Sequence, residues 1–184
     1  VVVTGLGLVG NLGAQVFAAC GYEVIGCEPS APRRELARRC GLTDVRAAVP
    51  VDDAALAGRV PLVLECSGHE QAVLDGCRIV RKGGEVVLVG VPWRRRAEMQ
   101  AFDVLHAVFH RYVTLRSGWE WELPRRPAEL QAGSIFGNLA GAMRWLREGK
   151  VCVEGLAESR DPREAGRAYA DLAAGTVGGL TVLF

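Results

Sequence analysis

Three glycines near the start of the chain form the first pattern that could do chemistry. Gly5, Gly7 and Gly10 make a G-x-G-x-x-G sequence between an apolar β-branched run and a stretch with apolar residues at helical spacing. In that setting Gly5 makes a tight turn, Gly7 lets a pyrophosphate approach the backbone, and Gly10 lets the helix pack closely on the strand. Free N–H groups at the start of the helix, near Leu8 and Val9, favour the charge of a diphosphate. The pattern predicts a dinucleotide-binding turn, and the alternative is a plain glycine turn.

An acidic residue follows at the distance expected of a ribose-binding carboxylate. Glu28 lies 18 residues after Gly10, at the end of the second predicted strand. A carboxylate there accepts hydrogen bonds from both hydroxyls of the adenosine ribose and repels a 2′-phosphate, which predicts NAD as the cofactor. The alternative is a solvated acid in a loop. Arg33 either stacks over the adenine or begins a surface helix.

Small residues end two further apolar strands. Cys66 and Ser67 follow one of them, and Val89, Gly90 and Val91 stand at the end of the other. Ligands of open parallel sheets bind at the carboxyl ends of the strands, so these residues should leave room for a dinucleotide. Small residues at strand ends are also common where no ligand binds.

Histidines and cysteines form no metal-ligand pattern. His69 stands in a Gly-His-Glu triplet without a Cys or a second His at ligand spacing. His106 and His110 are four residues apart, yet Ala107 stands where the zinc-binding H-E-x-x-H sequence has Glu. The six cysteines are never closer than seven residues apart, which excludes a C-x-x-C motif. We predict no metal site, and no residue of the chain is identified as catalytic.

Two other groups of residues have a simple alternative explanation. The arginine run 94–96 is most simply a solvated loop, and the alternative is a phosphate clamp. Trp93, Trp119 and Trp121 could line a substrate pocket, but aromatic residues near strand ends more often pack in the core.

Regular alternation of strands and helices would position the candidate residues. The predicted strands cover 1–4, 23–27, 44–47, 62–66, 85–91 and 113–117, and the predicted helices cover 9–20, 32–39, 52–57, 70–80 and 100–110. Strands that are apolar on both faces belong inside a parallel sheet. The predicted fold is therefore α/β, a doubly wound parallel Rossmann sheet of about six strands.

The last part of the chain departs from this rhythm. After a helix over 138–147, we predict a strand over 151–156, a helix that ends at Ala174, and a strand over 180–184. A boundary near Gly149 gives two parts, a dinucleotide-binding domain over 1–149 and a C-terminal segment over 150–184.

Composition excludes several classes of protein. The chain has 184 residues, 49% of them hydrophobic, with a formal net charge of +1, which indicates a globular domain rather than a disordered one. The balanced charge offers no field that would attract nucleic acid or an anionic membrane. No apolar run approaches the length of a membrane span. We expect a cytoplasmic protein with reduced cysteines.

These residues together resemble the medium-chain dehydrogenase/reductase family, the zinc-type alcohol and polyol dehydrogenases. The matching stretches are 3–10, 24–30 with Arg33, 64–68, 81–90 and 110–116. The resemblance implies that Val89, Gly90 and Val91 border the nicotinamide. It also implies that the strand from Leu115 to Ser117 offers backbone groups to the carboxamide.

The same resemblance shows what the chain lacks. Members of the family carry an upstream GroES-like domain that holds the catalytic zinc ligands, and the segment 150–184 would complete that domain. The resemblance therefore places zinc only in that absent portion and implies an alcohol or polyol substrate. The chain opens on Val1 without Met, so an upstream part could be missing. The alternative is a stand-alone NAD-binding module without turnover.

The sixth predicted strand gives an expectation about assembly. Residues 113–117 are predicted to lie at the edge of the sheet, where unpaired N–H and C=O groups can pair with another strand. The family resemblance points to the same edge, so we expect a homodimer through this strand.

Overall fold

A computed structural model of the chain describes residues 1–118, 122–177 and 179–184. The helices are α1 (Leu8–Ala19), α2 (Ala31–Arg39), α3 (Glu70–Ile79), α4 (Ala101–Arg111), α5 (Ile135–Arg147) and α6 (Ala165–Ala174). The strands are β1 (Val2–Thr4), β2 (Ile25–Cys27), β3 (Asp44–Arg46), β4 (Val60–Glu65), β5 (Val80–Leu88), β6 (Thr114–Ser117), β7 (Ala157–Ser159) and β8 (Thr181–Leu183). Trp119 and Trp121 lie outside the described residues.

The first six strands form one parallel sheet in the order β3-β2-β1-β4-β5-β6. The chain begins at the centre with β1, builds outward to β3, and then returns to the other side of β1 with β4. This order is that of a doubly wound dinucleotide-binding fold, and it confirms the predicted six-stranded Rossmann sheet. The order reverses between β1 and β4, so a crevice opens at their carboxyl ends.

Helices cover both faces of this sheet because its central strands are apolar on both sides. Val2 packs with α3 and α4 on one face, whereas Val3 packs with α1 and α2 on the other. Both valines are fully buried, as alternation of side chains along a buried central strand requires.

Two predicted elements of this domain differ from the structure. The helix expected over 52–57 is a series of turns, because the Asp53 carboxylate accepts the Ala55 N–H and Gly58 takes a φ of +71°. The strand expected over 85–91 ends at Leu88. After Leu88 the N–H groups of Val89 and Gly90 both donate to the Glu65 carbonyl, at 2.8 and 2.7 Å. Consecutive N–H groups of a strand point to opposite sides, so two bonds to one acceptor mean that the regular strand has ended.

The C-terminal part also contains a correction. The strand expected over 151–156 is not formed, and β7 begins only at Ala157. The backbone of Cys152 instead exchanges two hydrogen bonds with the Gln15 side chain of α1. Strands β7 and β8 pair in a separate two-stranded parallel sheet. No helix in the described ranges is long and apolar enough to cross a membrane.

Candidate cofactor-binding site

Two of the motif glycines close the turn between β1 and α1. Gly5 has a φ of +79°, and a Cβ there would lie 2.8 Å from the Ser67 backbone. A Cβ on Gly10 would lie 1.8 Å from the Gly5 carbonyl oxygen, which is far inside van der Waals contact. Any side chain at these two positions would push apart β1, α1 and the end of β4.

The middle glycine has the opposite surroundings. Gly7 is the N-cap of α1 with a φ of −63°, and a Cβ built on it would meet nothing within 4 Å. Its carbonyl accepts the Asn11 N–H at 2.8 Å, while N–H groups of the first helical turn have no partner within the helix. Open space therefore lies in front of a helix N-terminus, which is the arrangement that binds phosphate groups.

Glu28 connects this turn to the loop between β2 and α2. Its buried carboxylate accepts the Leu6 N–H at Oε2 and the Ser30 N–H at Oε1, both at 2.9 Å. The Arg33 guanidinium lies 3.8 Å from Oε2. These hydrogen bonds to the glycine turn could not be predicted from the spacing of Glu28 alone. Each carboxylate oxygen has two lone pairs, so one acceptor position on each oxygen is left beyond these bonds.

The two arginines of this loop are arranged differently. Arg34 donates through Nη1 to the carbonyls of Glu28 and Pro29, at 2.8 and 2.7 Å, so its charge is used to hold the loop. Arg33 is half exposed and lines the crevice.

Glu65 is a residue of the site whose role sequence analysis missed. This fully buried carboxylate, at the end of β4, accepts the Ser67 N–H at 2.7 Å and the Gly68 N–H at 3.1 Å, as well as the Ser67 hydroxyl. Thr4 of β1 donates its hydroxyl to the same oxygen at 3.3 Å. The signal was present in the sequence, since an acid that ends a two-faced apolar strand must find partners there.

The ends of β4 and β5 pack backbone against backbone. A Cβ on Gly90 would lie 2.2 Å from the Gly68 nitrogen, and one on Gly68 would lie 2.5 Å from the Val91 carbonyl oxygen. Gly90 is therefore required by packing. Its predicted place beside the nicotinamide stays a prediction.

A crevice of about 450 Å³ lies at this edge of the sheet. It brings together six of the predicted residues, Gly5, Gly7, Glu28, Arg33, Cys66 and Ser67. The other predicted residues do not line it, namely Leu8, Val9, Gly10, Val89, Gly90, Val91, Leu115 and Ser117. Ser117 lies beside Leu88 in the sheet register, near the carboxyl end of β5.

Arg96 and His69 also reach the crevice. Arg96 donates its backbone N–H to the Glu70 carboxylate at 3.0 Å and places Nη1 3.4 Å from the Ser67 carbonyl. The backbone N–H groups of Glu70 itself and of Arg96 lower the pKa of the Glu70 carboxyl. His69 caps α3, because its Nδ1 accepts the Gln71 N–H at 3.2 Å. Of the arginines at 94–96, Arg96 therefore lines the crevice.

Comparison with known proteins agrees with this geometry. The sequence pattern of the zinc-binding dehydrogenase family matches residues 9–122. The chain belongs to the zinc-binding dehydrogenases. It is 34% identical over 144 residues to L-threonine 3-dehydrogenase of Pyrococcus horikoshii, which covers 73% of this chain and 41% of that enzyme. The chain thus spans about two fifths of the length of this relative.

Solved dehydrogenase structures share the fold. The galactitol-1-phosphate dehydrogenase of Escherichia coli superposes with a TM-score of 0.75 at 20% identity, over 97% of this chain and 51% of that one. Benzyl alcohol dehydrogenase of Acinetobacter calcoaceticus gives 0.71 at 24% identity, over 95% and 46%. The predicted membership of the medium-chain dehydrogenases/reductases is confirmed.

The residues of this dehydrogenase portion do not fit zinc. Within the described ranges, no three His, Cys, Asp or Glu side chains lie close enough to hold a metal ion. Burial, with the Glu65 charge beside it, raises the pKa of the Cys66 thiol to about 12, so the cysteine in the crevice is a poor ligand at neutral pH. The rings of His106 and His110 contact each other at a tilt, with centroids 4.2 Å apart, on the exposed face of α4.

Proposed function

We propose that this chain is the NAD(H)-binding portion of a zinc-type alcohol or polyol dehydrogenase. Residues 1–149 would be the nucleotide-binding domain, and residues 150–184 would belong to a catalytic domain. The observation that carries the proposal is the open space at Gly7, between the N-terminus of α1 and the buried carboxylate of Glu28.

The dinucleotide would lie along the crevice. The diphosphate would contact the first turn of α1 at Gly7, Leu8 and Val9, where the helix dipole is positive. The ribose would meet Glu28, and Arg33 would lie over the adenine. Small side chains at Cys66 and Ser67 leave room for the middle of the cofactor.

The nicotinamide would continue toward β5 and β6. Val89, Gly90 and Val91 follow β5, and Leu115 and Ser117 belong to β6, so these residues lie on the side of the sheet away from Glu28. Bound NAD would supply the hydride acceptor for oxidation of the alcohol. Polarising that alcohol is assigned to zinc and residues of the catalytic domain.

Charge at the ribose subsite favours NAD over NADP. The 2′-phosphate of NADP would approach the Glu28 carboxylate, and the two nearest arginines already have other hydrogen-bond or ion-pair partners. Arg34 is bound to backbone carbonyls, and Arg33 pairs with Glu28. Since like charges in a half-buried site repel strongly, the extra phosphate should cost affinity.

The test is calorimetry with NAD⁺ and NADP⁺ on matched variants. We expect the chain to bind NAD⁺ about tenfold or more tightly than NADP⁺. Glu28→Gln should remove most of that preference, whereas Glu35→Gln, an equal charge change on the exposed face of α2, should preserve it. Equal binding of both cofactors by the unmodified chain would contradict the assignment of Glu28. A complete reading frame without a zinc domain would favour the alternative, a stand-alone NAD-binding module.

We also propose a homodimer through β6 in a reducing, cytoplasmic compartment. Gly118 donates its N–H to Leu88 of β5, so the N–H groups of Leu115 and Ser117 point outward from the sheet. Large apolar side chains on and just after α4, the helix that precedes β6, are also exposed, namely Phe102, Leu105, Phe109 and Tyr112. All six cysteines are free thiols. Sedimentation that shows a monomer at high concentration would overturn the dimer.

A further inference from the structure

Two cysteines that are far apart in the sequence meet at the side of the sheet away from β6. Cys40 is the C-cap of α2 and is 8% exposed, and Cys152 follows α5. Burial raises the pKa of the Cys40 thiol, and the Cys152 thiol lies near enough to raise it further. Both belong to a small apolar cluster with Leu36, Leu156 and Leu180.

The backbone on each side of this contact is fixed. Gln15 donates from Nε2 to the Cys152 carbonyl at 2.9 Å and accepts the Cys152 N–H at Oε1 at 2.6 Å. The same Nε2 donates to Asn11 Oδ1 at 2.7 Å, which orients the amide. Cys40 donates its own N–H to the Leu36 carbonyl at 3.0 Å, at the end of α2. The two cysteines are therefore held in one cluster by ordered elements.

We propose that Cys40 and Cys152 are a redox-responsive pair that closes to a disulfide when a small-molecule disulfide oxidises it. The thiolate of Cys152, the more exposed of the two, attacks one sulfur of the oxidant and releases one small thiol. The Cys40 sulfur then attacks the Cys152 sulfur and releases the second small thiol. Two electrons and two protons pass from the pair to the oxidant, so the exchange is balanced and reversible.

Burial of Cys40 makes formation of the disulfide slow at neutral pH. This burial is the main cause that raises the pKa of the Cys40 thiol to about 11, and the neighbouring Cys152 adds to the effect. Because a thiolate is the attacking species, closure should accelerate as the pH rises toward that value. Cys27 and Cys77 are also buried free thiols and Cys66 is partly buried, but none of the three is a member of this cluster.

The bond would join the two parts of the chain. It would link α2, which follows the Glu28 loop, to the segment after Gly149 and close a loop of about 110 residues. A cross-link of that length restricts the unfolded chain, so the midpoint of thermal unfolding should rise by roughly 5–15 °C.

The experiment uses the full chain in a Cys20→Ser background, which removes the exposed cysteine. The protein is treated with oxidised glutathione at mildly alkaline pH, free thiols are alkylated, and unreduced peptides are mapped by mass. We expect the peptides of Cys40 and Cys152 to be linked, the unfolding midpoint to rise, and dithiothreitol to reverse both changes. Cys77→Ala should retain both changes, and Cys152→Ser should lose both.

Three results would overturn the pair. The first is alkylation of both cysteines after oxidation, and the second is glutathione on Cys152 without a bond to Cys40. The third is the same rise of the midpoint in Cys152→Ser. If that variant does not fold, Cys40→Ala provides the same comparison at the other sulfur atom.

Discussion

The first 118 residues and the described residues after them bury their apolar side chains very differently. Of the fully buried hydrophobic residues in the described ranges, all but Leu156 and Ala168 lie before residue 118. Helix α5 buries none of its residues, although it carries an apolar stripe at helical spacing, namely Phe136, Leu139, Met143 and Leu146. Residues 1–118 thus have their own core, whereas the later region presents apolar surface that the described residues do not cover.

The largest expected effect contrasts one glycine from each of these two regions. Gly10→Ala places a Cβ 1.8 Å from the Gly5 carbonyl, which backbone cannot avoid without separating α1 from β1, so we expect a loss of several kcal/mol or no folding. Gly141→Ala, in α5, meets nothing within 4 Å and should stabilise the helix by up to about 1 kcal/mol. Urea unfolding of both variants measures the difference. Equal free energies of unfolding would show that the glycine turn is not tightly packed.

An intermediate effect comes from one substitution at three leucines. Leu6 is fully buried, Leu156 is 1% exposed, and Leu139 is 57% exposed. Changing Leu6 or Leu156 to Ala should lower the free energy of unfolding by about 2–5 kcal/mol, and Leu139→Ala by less than about 0.5 kcal/mol. Chemical denaturation at one protein concentration checks this order. A large loss at Leu139 would mean that α5 is covered, for instance by a second copy.

The features that could be predicted from the sequence are those that depend on the local spacing of residues. The glycine turn, β1 and the order of elements follow from spacing and apolar periodicity, so they were predictable. The roles of Glu65 and Arg96 depend on which strand ends become neighbours in the folded sheet. The prediction of a helix over 52–57 was wrong because the Asp53 carboxylate accepts the Ala55 N–H, which favours a turn. The prediction of a strand over 151–156 was wrong because the Gln15 side chain of α1 forms hydrogen bonds with the backbone of Cys152.

The smallest expected effect concerns surface charge, where the two regions should behave alike. A hydrogen bond from Arg46 lowers the pKa of the Asp53 carboxyl, and one from Lys150 lowers that of Glu148. A lowered pKa in the folded state stabilises the fold above the unfolded pKa, near 4, and this contribution disappears as the pH falls through the folded value. Asp53→Asn and Glu148→Gln should therefore be slightly less stable than the parent chain at neutral pH. The difference should vanish in strong acid, as urea midpoints across pH would show.

The most direct test of the nucleotide site is NAD⁺ calorimetry on Gly7→Ala. A Cβ on Gly7 would occupy the open space assigned to the diphosphate without touching the protein, and its φ of −63° suits alanine. We predict that the affinity for NAD⁺ falls about tenfold or more while the unfolding midpoint stays unchanged, with Gly141→Ala as the control that binds normally. Undiminished NAD⁺ affinity in Gly7→Ala, or an unmodified chain that does not bind NAD⁺, would contradict the proposed site.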